Sequence, residues 1–343
     1  MSWYLLRRLN LFIATSFVML LVLFISTKLF PVEPITALSG ITSQNHEVQQ
    51  QVRQLYHLDS NMLSQFYAYI KQRVTGNFGI STTSHHLVID ELSSVLPASF
   101  ELAFVAGLIA IILGVPIGVL ASFNQHKMTQ NVIMASTLTG YSLPVFWLGL
   151  ILAHWFGVQR DWLPISGQIN LLYEIEPVSG FIIIDSLFAT KTYGMTAFYD
   201  ALQHLILPAV TLSILPLTVV IRMTRAAMIT VMNKTYIRAA EARGLSTIQI
   251  VLTHALPNAL IPVLKQLGVM LGSFASYAIL VEVSFSWPGV GYWLVSGVYQ
   301  RDYTVIQGGV FVVAMLIIFL NILIDVIHTA TNPITKKELY ATN

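Results

Sequence analysis

Six apolar stretches, each long enough to cross a bilayer, alternate with polar segments along this chain. The first covers residues 9–30 and follows Arg7 and Arg8. At 1.5 Å of rise per residue, a helix of that length crosses the roughly 30 Å of hydrocarbon in a membrane. A cleaved leader would carry an apolar region of about 7–15 residues ending at small residues. This stretch is longer and runs into Lys28 and Pro31, so it reads as a retained span. The remaining spans are expected at 96–123, 132–156, 201–221, 261–285 and 305–327. Pro97, Gly107, Gly114, Pro116 and Gly118 in the second predict close packing inside a bundle, where neighbours satisfy any freed backbone groups. Gly268 and Gly272 form a GxxxG in the fifth.

Between the spans, residues 31–95 and 157–200 are too polar to cross. The apolar run at 181–188 is broken by Asp185 and is about half a span long, which predicts a re-entrant or surface-lying helix. The adjacent His85 and His86 diverge in direction and have no third ligand nearby in sequence, so they read as surface residues rather than a metal site.

Composition turns this pattern into a class. With 55% hydrophobic and 10% charged residues over 343 positions, and a mean hydropathy of +0.70, the chain is an all-α polytopic membrane protein rather than a soluble domain. It has no cysteine, which excludes disulfides and thiolate chemistry.

The placement of charge predicts orientation. Six spans put both termini on one side, whose segments hold ten Lys and Arg in about 72 residues, against six in about 130 on the other. The positive-inside rule places the termini, and residues 222–257, in the cytoplasm. The expected organisation is a cytoplasmic start and first span at 1–30 and a periplasmic segment at 31–95. A five-span core at 96–335 follows, with a cytoplasmic loop at 222–257 and a periplasmic loop at 157–200, and the tail is 336–343.

Several chemistries are missing. No GxxxxGK[ST] phosphate loop occurs, so the chain does not bind ATP in that manner, and no HExxH, GxSxG or kinase signature points to an enzyme. Ionisable residues within spans are costly and usually functional. Here Glu101, Glu282 and His204 fall near outer ends and Lys265 and Asp325 near inner ends. With none at the midplane, an ion-coupled carrier is disfavoured and the energy source lies elsewhere. Glu101 and Glu282 read as interfacial hydrogen-bonding groups, the alternative being attraction of a cationic solute.

The polar stretch from Tyr236 to Pro262 is where that energy would enter. Ala239 and Ala240 offer little bulk to a docking surface, Gly244 supplies a left-handed or hinged position, and 247–256 leads as a second helix into Pro257. An ordinary helical hairpin with a glycine cap has the same pattern. Its spacing, AAxxxGx(9)HxLP, resembles the EAA loop of ABC importer permeases, EAAxxxGx(9)IxLP, with Arg238 in place of Glu and His254 in place of Ile. The similarity extends to LLRRL, GNFGIS, LPASFELAF, LPISG, HLILPAVTL, VEVSFSWPGVG and RDYTVIQG, and the chain resembles the peptide/nickel permease family, in particular its Sap-type peptide transport branch.

That resemblance implies the type I importer permease fold and a coupling helix that docks on a cytoplasmic ATPase. Arg238, Ala239, Ala240, Glu241, Gly244, Leu245, Leu256 and Pro257 are the candidate contacts. The implied partners are a second homologous permease, two ATPase subunits binding ATP and magnesium, and a periplasmic solute-binding protein. The chain itself would need no cofactor, would lie in the lipid bilayer and would bind no nucleic acid. Phe146, Trp147, Tyr277 and Glu282 are candidates for the solute path, although aromatics in a bundle are usually packing residues. The cargo would be peptide, or a polyamine such as putrescine. A non-transporting sensor would be expected to carry an output domain, and only 16 residues follow Ile327.

Overall fold

The computed structural model describes residues 2–29, 32–42, 45–123 and 127–331. The charged tail at 336–343 therefore lies outside the described residues. In chain order the helices are α1 (Ser2–Leu29), α2 (Pro34–Ser39), α3 (His46–Leu55), α4 (Met62–Val74), α5 (Val88–Phe123), α6 (Lys127–Ser142), α7 (Val145–Leu152), α8 (Ile182–Phe188), α9 (Thr190–Tyr193), α10 (Thr196–Met232), α11 (Thr235–Ala242), α12 (Thr247–Ile250), α13 (Leu256–Ser284), α14 (Val290–Tyr299) and α15 (Tyr303–Thr331). Among the described residues the one β interaction is an isolated bridge between Ile80 and Leu87.

Among the described residues, five helices are long and apolar enough to cross a membrane. The third expected span, 132–156, departs from a straight helix. It is a pair, Gln130–Ser142 and Val145–Val158, bent by 102°; counted as one crossing, the pair brings the total to six. Pro144 is the cause. It lacks an N–H, pushes Leu143 out of the helical region, and itself takes extended geometry (φ −61°, ψ 127°). The expected boundaries also move. α5 starts eight residues before position 96, with Asp90 and Glu91 in its first turn where acids suit a helix N-terminus. α10 runs 37 residues, well past both ends of 201–221.

The chain divides into two compact units. Residues 98–287 form one, organised around α10, whose most apolar window is 78% buried, against 28% for that of α5. Leu205, Leu212 and Leu215 of α10 pack with Leu102, Val145, Val281, Phe285 and Trp287. The indole N–H of Trp287, fully buried, donates to the Ala98 carbonyl at 2.9 Å. Gly118 of α5 meets α10 so closely that an added Cβ would lie 2.8 Å from the Ile221 carbonyl oxygen, as expected for a glycine at a helix crossing. At Gly272 of the GxxxG, by contrast, a Cβ would meet nothing within 4 Å. The apolar run at 181–188 is the short helix α8, its buried Asp185 accepting from the Ser179 and Gly180 N–H groups at 2.7 and 2.9 Å.

The second unit comprises residues 1–97 and 288–343. Here α2, α3 and α4 lay Ile35, Leu38, Val52, Tyr56 and Tyr69 against Leu20, Leu23 and Phe24 of α1. Asn45 and Asn61 cap α3 and α4, accepting from the Glu47 and Ser64 N–H groups at 2.9 Å each. Arg73 is buried without a carboxylate: it donates to the Asn77 and Leu38 carbonyls at 2.8 and 3.2 Å and lies 4.8 Å from the Tyr69 ring centroid. Burial pushes the neighbouring Tyr56 phenol above its usual range, the Arg73 charge working the other way, and Tyr56 donates to Leu38 O at 3.1 Å. Replacing Arg73 with Met strips donors from two carbonyls in this core. The expected loss is about 2 kcal/mol or more, read as a lowered Tm of the purified transporter.

Asp302, also fully buried, joins the turn before α15 to residues 81–83. One oxygen accepts from Ser81 Oγ at 2.7 Å, Thr83 Oγ1 at 3.1 Å and Thr83 N–H at 3.2 Å. The other accepts from Thr304 Oγ1 at 2.8 Å and Val305 N–H at 3.1 Å. Burial disfavours its charge, but the hydrogen bonds from Ser81, Val305 and Thr304 outweigh burial and hold the carboxyl below the usual carboxylate range.

Candidate coupling loop and solute path

The loop after α10 is a short helix, a sharp turn and a second helix. Lys234 takes extended geometry and lets α11 begin. At its other end Gly244 N–H donates to Glu241 O at 2.9 Å, and Gly244 itself has φ +80°, which an L side chain adopts at a cost. Ser246 then starts α12 with a capping box: its Oγ accepts from Gln249 N–H at 3.4 Å, and Gln249 Oε1 accepts from Ser246 N–H at 3.1 Å.

Beyond α12 a π-helical turn at Val251–Ala255 carries the chain into α13, so the second helix of the loop is continuous with the fifth span. Pro257 sits in the first turn of α13, directly after the π-helical turn. His254 lies in the π-helical turn, half-buried, and its carbonyl accepts from Asn258 Nδ2 at 2.7 Å.

The two alanines do different things. Ile237 and Ala240, one helical turn apart, point inward and pack with Met228, Ile250, Ala255 and Ala259. Leu245 and Leu256 border the same cluster. Ala240 is thus a floor residue of the chain's own core, while Ala239 is exposed together with Arg238, Glu241, Arg243 and Gly244. The small-residue argument for close approach applies to Ala239. For Ala240 the small side chain is what lets α11 lie close on the residues beneath it.

The solute-path candidates are not grouped in one way. Phe146 and Trp147, about half exposed, stand on α7 just after the 102° bend, whereas Tyr277 is partly buried against the core around α10. Glu282 is 1% exposed and accepts from Ser99 Oγ at 2.6 Å. Glu101 is the hydrogen-bonding group expected from the sequence, but its partner was not foreseen: one oxygen accepts from the Ile183 N–H at 2.9 Å, fastening α8 to α5, and the other is buried without a partner. An acid at the outer end of a span beside a short apolar run was the available signal. His85 and His86 are both exposed, and no group of three metal-ligating side chains occurs among the described residues.

Residues 114–337 match the family described as binding-protein-dependent transport system inner membrane component. A di/tripeptide transport system permease protein, DppB, of Pseudomonas aeruginosa is 39% identical, over 97% of this chain and 98% of its own. A putrescine export system permease protein, SapB, of Escherichia coli K12 is 40% identical, over 77% of this chain and 83% of its own, which bears out the Sap-type similarity of the motifs. In fold, the chain resembles a subunit of the inward-facing MetNI methionine ABC transporter, with a TM-score of 0.53 and 18% identity, covering 71% of this chain and 96% of that one.

Proposed function

The chain belongs to the family of binding-protein-dependent transport system inner membrane components and is a permease subunit of an ABC transporter; from that premise we propose that its cargo is a short peptide and that α11 is the contact through which ATP-driven motion reaches it. It is a membrane protein and not an enzyme, since in these systems hydrolysis belongs to a separate subunit. The observation that carries the peptide reading is the similarity to a di/tripeptide permease along 97% of this chain.

The coupling reading rests on the loop. Arg238, Ala239, Glu241 and Gly244 form an exposed surface backed by a packed core, so a force applied there is delivered to α10 and α13 rather than absorbed by a loose loop. Leu245, Leu256, Pro257 and the inward-facing Ala240 set the shape of that surface. The working assembly on this reading is this chain, a second permease of similar fold, two cytoplasmic ATPases holding ATP and magnesium, and a periplasmic solute-binding protein. Both termini and α11 face the cytoplasm. Phe146, Trp147, Tyr277 and Glu282 contribute to the path, with Glu282 in reach of a peptide amino group once its contact with Ser99 opens.

Polyamine transport is the second reading, favoured by the name of the 40% identical relative. Proteoliposomes holding the full assembly separate the two. ATP-dependent flux of labelled dipeptide should exceed that of labelled putrescine by about tenfold or more, as expected for discrimination between chemically different cargoes. Putrescine flux above peptide flux reverses the assignment.

A further inference from the structure

The unit containing α1 holds a cleft lined by none of the residues assigned above to coupling or to the solute path. It encloses about 390 Å³, within the size range of small-molecule sites, and its lining includes Lys28, Glu33, Gln49, Arg53, Leu58 and Gln65. Lys28 is in the last turn of the candidate span Leu5–Leu29, at the end opposite Arg7 and Arg8. A 25-residue helix exceeds the roughly 30 Å hydrocarbon core, so Lys28 and the cleft beside it lie at headgroup level. Below them on α1, Val18, Val22 and Ile25 recur at helical spacing and are all exposed, an apolar surface of the kind acyl chains cover.

We infer that this cleft binds the headgroup of a phospholipid that carries both a phosphate and a primary amine, with Lys28 and Arg53 on the phosphate and Glu33 on the ammonium. Lys28 is held in place by Gln65, its Nζ donating to Gln65 Oε1 at 2.7 Å, and keeps N–H groups to spare. The partner of Arg53 is Asp59 at 3.2 Å, in a pair whose members are 50% and 78% exposed. Such exposed pairs contribute little, so the guanidinium is free to turn its remaining donors toward a phosphate. Charge decides between a lipid headgroup and a free anion. Two cations in one lining suit a phosphate, but Glu33 within that lining and Asp59 beside it oppose a lone dianion and match the ammonium of a zwitterion. The inference is independent of which solute is carried.

Native mass spectrometry of the intact transporter, purified from a bacterial membrane, tests it. The wild-type assembly should retain phosphatidylethanolamine, and the double variant Lys28→Gln/Arg53→Gln should lower the number retained by one per copy of this chain, its affinity falling about tenfold or more with the lost charge-assisted bonds. Glu33→Gln should shift retention from phosphatidylethanolamine toward phosphatidylglycerol. Because Arg53 is exposed, Arg53→Gln alone gives the answer where the double variant does not assemble. Unchanged retention in either variant overturns the site. Release of the lipid by millimolar inorganic phosphate, with phosphate bound in its place, identifies a free-anion site and overturns the lipid assignment.

Discussion

Replacing Gly244 with Val is expected to cut solute flux by at least about tenfold while the ATPases of the assembled transporter continue to hydrolyse ATP. A Cβ at this position would meet no atom within 4 Å, so steric crowding is not the reason. The backbone is. At φ +80° a β-branched residue is strained by about 1–2 kcal/mol or more, and the turn relieves that strain by rotating α11 away from the Ser246 cap. The surface formed by Arg238, Ala239 and Glu241 then presents a different face to its partner. A graded series separates conformation from size. Gly244→Asn, which tolerates the left-handed region, should keep most of the flux; Gly244→Ala should be intermediate; and Gly244→Val should lose at least about tenfold, in line with the strain. Flux and ATP hydrolysis are measured together in proteoliposomes, with membrane insertion unchanged throughout. Equal flux in all three variants contradicts the role given to the turn.

The second large effect lies in the other unit and concerns stability rather than coupling. Asp302→Ala removes the acceptor shared by Ser81, Thr83, Thr304 and Val305; the exposed Thr83 can turn to water and Thr304 Oγ1 keeps the Ile80 carbonyl at 2.8 Å, but the buried Ser81 hydroxyl and Val305 N–H lose it. The expected cost is about 3 kcal/mol or more, because each orphaned buried donor forfeits its hydration as well as its bond. Asp302→Asn keeps one acceptor oxygen but turns an NH2 group toward other donors, so it should fall between wild type and Ala. The pH dependence follows from the depressed carboxyl. With the folded value below the unfolded one of about 3.9, the stabilisation is complete above about pH 4 and is lost as pH falls through the folded value. Thermal unfolding of the detergent-purified assembly should therefore show a gap between wild type and Asp302→Ala at pH 7 that narrows on acidification below pH 4. A gap that persists unchanged into strong acid assigns the loss to packing instead.

Much of this was legible in the sequence, and what was not has physical causes. The long helices announced themselves through apolar length, and the turn at Gly244 through residue type at one position. The extension of α5 back to Val88 did not, because Asp90, Glu91, Ser93 and Ser94 interrupt the apolar residues of 88–95 and hydropathy marks the membrane rather than the helix. Pro144 was visible, yet a proline in a membrane helix is compatible with a mild kink as well as a 102° bend, and only the packing of Val145 and Gly149 on one side of the break distinguishes them. The division of labour between Ala239 and Ala240 needed the helix phase relative to Ile250 and Ala255, residues beyond the turn. Asp302 lies 219 positions from Thr83 and 221 from Ser81, a pairing that no local pattern discloses.

The central claim is that the exposed face of α11, and not its buried one, meets the ATPase. The chain's lack of cysteine makes this accessible, because a single introduced thiol is unique in it. In otherwise wild-type assemblies, Ala239→Cys should cross-link to the ATPase subunit through a short bifunctional reagent, with a yield that changes when ATP is added. Ala240→Cys, its side chain turned into the core beside Ile237 and Ile250, should not. Equal cross-linking from both positions, or none from Ala239→Cys in an assembly that still transports, would contradict the account.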